Sequence, residues 1–247
     1  QRYAEEAVYQ HVARYLQPAF DKENKPKPSS PFSDKLTPKQ IRAILNRSIT
    51  QSERWRTMKA AGYTPGEINQ AFRQKIEMTV FTYHGDIDTL MSPLDSIRYY
   101  KEFLRSGFMS MDPKTGAVKA YVGGLDYPHF MYDMVSLGRR QVGSTIKPFL
   151  YSLAMENGFT PCDYAPNRQQ TYIVAGKPWT PRNANHARYG QMVPLKWGLA
   201  QSNNWISAYL MSKLNPSQFV QLLHDYGIHN PDIHASMSLC LGPCEVS

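Results

Sequence analysis

Apolar side chains recur at helical spacing from the start of the chain, at Ala4, Val8, Val12, Leu16 and Phe20, which predicts a helix over residues 1–20. The Lys-, Pro- and Ser-rich stretch 21–31 breaks that period and reads as a linker. Thr37-Pro38 and Thr64-Pro65 each place a capping residue before a proline suited to a first helical turn, so two further helices open there, the second with Glu67 set for a capping box. Residues 77–83 read as a strand ending in a turn at Gly85-Asp86, and 93–106 as a helix capped by Gly107. Two apolar runs, 108–111 and 117–122, flank Asp112-Pro113-Lys114-Thr115-Gly116, whose proline and glycine fit a turn between paired strands.

Downstream the period is helical again. Pro148 lacks an amide proton and is tolerated near a helix start, so a helix covering 149–157 begins close to Ser144 and ends at Gly158. On it Ile146, Phe149, Leu150 and Leu153 share one face, with Ser144, Lys147 and Tyr151 roughly opposite, so the helix is expected to bury one stripe and present a Ser/Lys pair to a cleft. A helical pattern over 194–200 gives way to another over 205–214, carrying Ile206, Tyr209, Leu210 and Leu214, and Ser202-Asn203-Asn204 lies at the junction. Helices, one hairpin and further strand signals together predict an α+β chain.

Composition narrows the function classes only slightly. The chain has 247 residues, 42% of them hydrophobic, enough for one large domain or two smaller ones. Its net charge of +8 is unevenly placed: residues 1–59 hold 12 Lys/Arg against 6 Asp/Glu, and the remainder 16 against 14. The chemistry-bearing part is nearly balanced, so no nucleic-acid footprint is indicated there. No apolar run reaches the ~20 residues that span a bilayer, and the residues that follow Gln1 do not show the pattern expected of a signal peptide. Of the three cysteines only Cys240 and Cys244 are close in sequence, leaving a local disulfide and free thiols both open. His229 and His234 lie just upstream, but the spacing fits no standard zinc pattern, and neither a metal nor an organic cofactor is expected. His84, His129 and His186 have no acidic partner at diagnostic spacing and read as ordinary residues.

The candidate chemistry is Ser144-Thr145-Ile146-Lys147, a nucleophile and a base one helical turn apart. The spacing alone is weak, because a chain of this length holds about one Ser-x-x-Lys by chance, and a helix-start serine followed by a solvated lysine satisfies it equally. A hydroxyl at a helix N-terminus does meet the positive end of the dipole. For Lys147 to act as a base near neutrality, its proton affinity must fall from about 10.4 to near 7, worth about 4 kcal/mol. Ser202-Asn203-Asn204, the only Ser-x-Asn in the chain, is the natural partner, although such a triplet also serves as a helix cap.

Taken with the text between them, the two elements resemble the penicilloyl-serine transferases, specifically the transpeptidase domain of bifunctional class A penicillin-binding proteins. Asp112 to Gly124 resembles the hairpin that opens such domains, Arg140-Gln141-Val142-Gly143-Ser144 the lead-in to their nucleophile, and Trp179-Thr180-Pro181-Arg182-Asn183 the segment before their second motif. Lys114-Thr115-Gly116 spells their third motif but precedes the nucleophile, and is read as the hairpin turn. The resemblance implies a β-lactamase/transpeptidase-like fold, here truncated: a helix-rich connector over 1–106 and the N-terminal portion of the transpeptidase domain over 107–247. It implies catalytic roles for Ser144, Lys147, Ser202 and Asn204. Peptidoglycan stem peptides ending in D-Ala-D-Ala would be the donors, an amine the acceptor, and β-lactam antibiotics the inhibitors. The expected setting is the periplasmic face of the bacterial cytoplasmic membrane, with a membrane anchor and a glycosyltransferase domain in the full-length protein. Leu239 to Cys244 resembles the segment before the third motif, so the chain is expected to be a fragment with little or no activity of its own, since losing one oxyanion donor typically costs about 10²- to 10³-fold. A serine β-lactamase and a non-catalytic scaffolding module are the alternatives.

Overall fold

The computed structural model describes residues 1–246, which form two compact units, Gln1–Leu137 and 138–246. Helices and antiparallel strand pairs alternate in both, as expected of an α+β chain.

In the first unit, helix α1 (Arg2–His11) runs through a π-helical turn (Val12–Leu16) into α2 (Gln17–Asn24). The wide turn lies just ahead of Pro18, whose ring would clash with a preceding carbonyl in unbroken α-helix. Helix extends four residues into the predicted linker because polar side chains support it: Gln17 donates to Asp21 at 2.7 Å, Lys25 pairs with Asp21 at 2.9 Å, and Asn24 donates to the Phe20 carbonyl at 2.9 Å. Helices α3 (Pro38–Gln51) and α5 (Pro65–Ala71) start where expected, and both have full capping boxes, Thr37 with Gln40 and Thr64 with Glu67. Between them lies α4 (Glu53–Ala60). Ile49, Ile68 and Phe72 form a small core there.

Strand β1 (Ile76–Val80) pairs with β2 (Ile87–Met91), a partner that the sequence reading leaves unassigned. Helix α6 (Pro93–Lys101) ends short of the predicted Gly107, because Phe103 turns into an aromatic cluster with Phe81, Tyr99, Tyr100 and Phe130. Gly107 serves a different need: a Cβ there would lie 2.9 Å from the Val135 side chain. Strands β3 (Phe108–Met111) and β4 (Val118–Val122) make the expected hairpin, with Asp112 accepting from the Lys114 and Thr115 amides and Gly116 at φ 70°. This hairpin is part of the first compact unit, and α1 packs on β4.

The second unit is built around two buried helices. Strand β5 (Arg140–Gln141) leads through a 3-10 turn (Gly143–Ile146) into α7 (Lys147–Glu156), which ends before Gly158 at φ 89°. Short strands β6 (Tyr164–Pro166), β7 (Tyr172–Val174), β8 (Lys177–Trp179) and β9 (Met192–Pro194) follow, β6 pairing with β9 and β7 with β8. Helices α8 (Leu195–Ala200), α9 (Asn204–Lys213) and α10 (Pro216–Asp225), a 3-10 turn (Met237–Leu241) and β10 (Glu245–Val246) complete the unit. The two-faced pattern expected of α7 is not what forms. Ile146, Leu150 and Leu153 are buried, but so are Lys147 and Tyr151 opposite them, because α8, α9 and the 237–241 turn cover that side. In α9 the buried set Trp205, Ile206, Ser207, Ala208, Leu210 and Met211 goes round the helix.

Candidate active site

The start of α7 is held by backbone from the far end of the unit. β5 pairs with β10, the Val142 amide donates to the Cys244 carbonyl at 2.9 Å, and the Gly143 amide donates to the Gly242 carbonyl at 3.0 Å. Gly242 has φ 63°, and a Cβ on it would stand 2.2 Å from the Gly143 carbonyl oxygen, so no other residue fits. Thr145 closes the turn by donating its hydroxyl to the Val142 carbonyl at 2.6 Å. Ser144 rides on this pinned turn, exposed, and Lys147 opens the helix with Pro148 behind it.

Lys147 is only 1% exposed, and its ammonium is spent on the junction between α8 and α9. Nζ donates to the Ser202 carbonyl at 2.5 Å, to Ser202 Oγ at 3.1 Å and to Asn204 Oδ1 at 2.7 Å. Three donors meet three acceptors, none of them charged. Burial brings the lysine down to about 8, and the neighbouring Cys240 side chain is the one group acting in the opposite direction. Burial in turn pushes the Cys240 thiol up to about 12, against the pull of Lys147. The structure thus gathers three of the four sequence-predicted residues, Lys147, Ser202 and Asn204; Ser144 stands one turn ahead of the lysine and makes no side-chain hydrogen bond among the described residues.

The shape of the Ser202–Asn204 turn explains how it reaches the lysine. Ser202 has φ 48°, a left-handed conformation that is costly for a residue with a Cβ, and this turns both its carbonyl and its hydroxyl toward Nζ. Asn204 is fixed by the 181–183 segment: its amide donates to Asn183 Oδ1 at 2.9 Å and its Nδ2 to the Arg182 carbonyl at 2.7 Å. Trp205 Nε1 adds a bond to the Pro181 carbonyl at 3.1 Å. The α8 end can lie this close because Gly198 has no side chain; a Cβ would be 2.7 Å from Ile206 and 2.9 Å from the Tyr151 hydroxyl.

A family model described as the penicillin binding protein transpeptidase domain matches residues 106–237, more than half of the chain. The chain belongs to the penicillin-binding protein transpeptidase family. A second model, the penicillin-binding protein middle domain, matches residues 27–104. Among curated relatives, penicillin-binding protein 1A of Neisseria flavescens is 34% identical over 147 residues, and that of Pseudomonas aeruginosa 30% over 145, each alignment covering 58% of this chain and 18% of the relative. The chain therefore spans about a fifth of the relatives' length by alignment. The crystal structure of penicillin-binding protein 1A from Haemophilus influenzae aligns over 98% of this chain and 39% of its own, with TM-score 0.59 and 20% identity, and so shares the fold.

Several residues around the transpeptidase-family motifs escape a reading by motif. Asn167, Asn183 and Gly242 act through hydrogen bonds and close approach rather than through any spacing that marks them in sequence. His129, read as an ordinary residue, lies between two carboxylates, with Nδ1 2.7 Å from Asp126 and Nε2 3.4 Å from Asp86. The Asp126 spacing of three was legible; the Asp86 contact depends on the fold. Cys162, Cys240 and Cys244 are all free thiols, which decides between the options left open by their spacing. A concavity of about 1240 Å³ lies in the first unit beside Tyr9, Tyr83 and Phe103 and includes none of the four candidate residues.

Proposed function

We propose that this chain carries the nucleophile, base and second-motif side chains of a peptidoglycan D,D-transpeptidase. Ser144 Oγ attacks the carbonyl of the penultimate D-alanine of a stem peptide, and its proton passes to the free amine of Lys147. Collapse of the tetrahedral species expels the terminal D-alanine, whose amine takes a proton relayed from Lys147 through Ser202 Oγ, 3.1 Å away. An amine from a neighbouring stem then attacks the Ser144 ester, forms the cross-link and returns the serine hydroxyl. Asn204 holds Lys147 through Oδ1 and would also hydrogen-bond the backbone of the donor peptide.

The observation that carries this reading is the buried Lys147 fastened to Ser202 and Asn204. At about 8, roughly one lysine in ten is the free amine at pH 7, against about one in 3,000 at the ordinary value. That gain of about 300-fold in base form is what a serine without a histidine needs. A β-lactam presents a strained amide to the same serine and leaves it esterified. The setting that follows is the extracytoplasmic face of the bacterial cytoplasmic membrane, where a membrane anchor and a glycosyltransferase domain would accompany this chain.

Labelling of the full-length protein with a fluorescent penicillin tests the proposal. A stable adduct that disappears in Ser144→Ala is expected. Fast turnover of the adduct would mean a β-lactamase, and no adduct in the unaltered protein would leave only a scaffolding role.

A further inference from the structure

All three acceptors of Lys147 flank one residue, Asn203, whose own side chain makes no hydrogen bond to the lysine and which is buried. Its side chain is 1% exposed. Oδ1 accepts from the Trp205 and Ile206 amides at 2.9 and 3.2 Å and so caps α9, while Nδ2 donates to Asn167 Oδ1 at 2.9 Å. Asn167 is 0% exposed and sits just beyond β6. Its Nδ2 donates to the Ala187 and Arg188 carbonyls, both at 2.8 Å, its amide donates to the Gln191 carbonyl at 2.9 Å, and its carbonyl accepts from Gly190 at 2.8 Å. The orientation of Asn167 is fixed by this network, since exchanging its oxygen and nitrogen would face an oxygen toward two carbonyls. A buried amide pair with its hydrogen bonds made is rigid, and a partly broken one is costly.

We propose that Asn167 and Asn203 are positioning residues of the transpeptidase site: their buried amide pair fastens the Ser202–Asn204 turn to the 187–191 loop and thereby keeps water away from the Lys147 ammonium. The catalytic sense of the proposal rests on the transpeptidase reading, whereas its physical content, control of the lysine's proton affinity, does not. Among the elements packed on α7, the ionisable group acting on Lys147 is the Cys240 thiol of the 237–241 turn; on α7 itself Tyr151 is the ionisable neighbour, kept neutral by burial. Neither touches the amide pair through any hydrogen bond of Asn167 or Asn203.

Asn203→Ser keeps a capping oxygen for α9 but removes the donor to Asn167, and Asn167→Ala removes the other half of the pair. The Lys147 proton affinity is read in each chain by titrating ¹³Cε-lysine resonances, with Lys147→Met identifying the signal. Both variants are expected to raise it by about half a pH unit or more, and in the full-length protein to slow penicillin acylation at pH 7 at least about threefold, with recovery toward pH 9. Purely structural damage would slow acylation equally at both pH values. If Asn167→Ala fails to fold, Asn203→Ser decides the matter. A folded Asn203→Ser chain with an unmoved Lys147 titration overturns the proposal. Absence of a penicillin adduct in the unaltered protein would sink the transpeptidase reading, and the titration would still decide this one.

Discussion

Replacing Lys147 with methionine isolates the cost of burying its charge. The folded chain holds the lysine at about 8 and the unfolded chain at 10.5, so between those values the unfolded state binds more protons and stability must rise with pH. At about 1.4 kcal/mol per pH unit the rise amounts to about 3 kcal/mol. Lys147→Met has nearly the same length but nothing to titrate, and it leaves the Ser202 carbonyl and Asn204 Oδ1 without their donor, a pH-independent penalty of about 1–3 kcal/mol for each orphaned acceptor. The sharp quantity is therefore the difference between the two proteins as a function of pH. Other groups cancel, and the neighbours stay silent in the window, because burial keeps Cys240 protonated to about 12 and Tyr151 protonated beyond that. Urea unfolding at pH 7, 8, 9 and 10 is the assay. The unaltered chain should gain on the variant by about 2–3 kcal/mol across pH 8 to 10 and by little below pH 8. A flat difference from pH 7 to 10 would refute the claim that burial governs this lysine.

Gly242→Ala meets both a left-handed backbone and the Gly143 carbonyl, so a loss of about 2–5 kcal/mol in chemical denaturation is expected, and a loss under 1 kcal/mol would show that β10 can shift away. Thr64→Ala removes a capping box and should cost about 1 kcal/mol, measured the same way, with no change in penicillin labelling. With an aromatic disulfide reagent, exposed Cys162 should react at once and buried Cys240 only after unfolding; equal rates would contradict the packing of the 237–241 turn. Bonds from the Tyr121 hydroxyl and the Ser136 and Val135 amides hold the Asp133 carboxyl down at about 2, so its contribution to stability is present above the ordinary carboxylate range and is lost as pH falls through about 2; a carboxyl resonance titrating near 4 would contradict those bonds.

What the sequence discloses follows the range of the interaction. The Thr64–Glu67 capping box, the 112–116 turn and the Gly158 stop are settled within a few residues of chain, and each forms as its local pattern predicts. Helix α6 ends early for a reason no local pattern holds, the attraction of Phe103 to an aromatic cluster whose members Phe81 and Phe130 come from distant segments. The extension of α2 shows the converse: a composition that resembles a linker still makes helix where Asp21, Lys25 and Gln17 meet at helical spacing.

The site divides along the same line, and the division says where its chemistry comes from. Ser144, Lys147, Ser202 and Asn204 are visible as side chains of the right kind, but nothing in a Ser-x-x-Lys spacing makes a lysine basic at neutral pH. That property depends on burial, and burial depends on residues with no chemistry of their own. Gly198 lets α8 and α9 close over Tyr151, Gly242 lets the 242–244 segment press on Gly143, and Asn167 ties down the loop behind Asn203. An amphipathic reading of α7 leaves Lys147 facing a cleft, with its ordinary affinity for protons. The structure buries that face as well, and three uncharged acceptors make the burial tolerable without restoring the full charge-stabilising power of water. The lowered proton affinity of this lysine is thus a consequence of packing, which is why substitutions at the silent residues should be read first in its titration and only then in penicillin acylation.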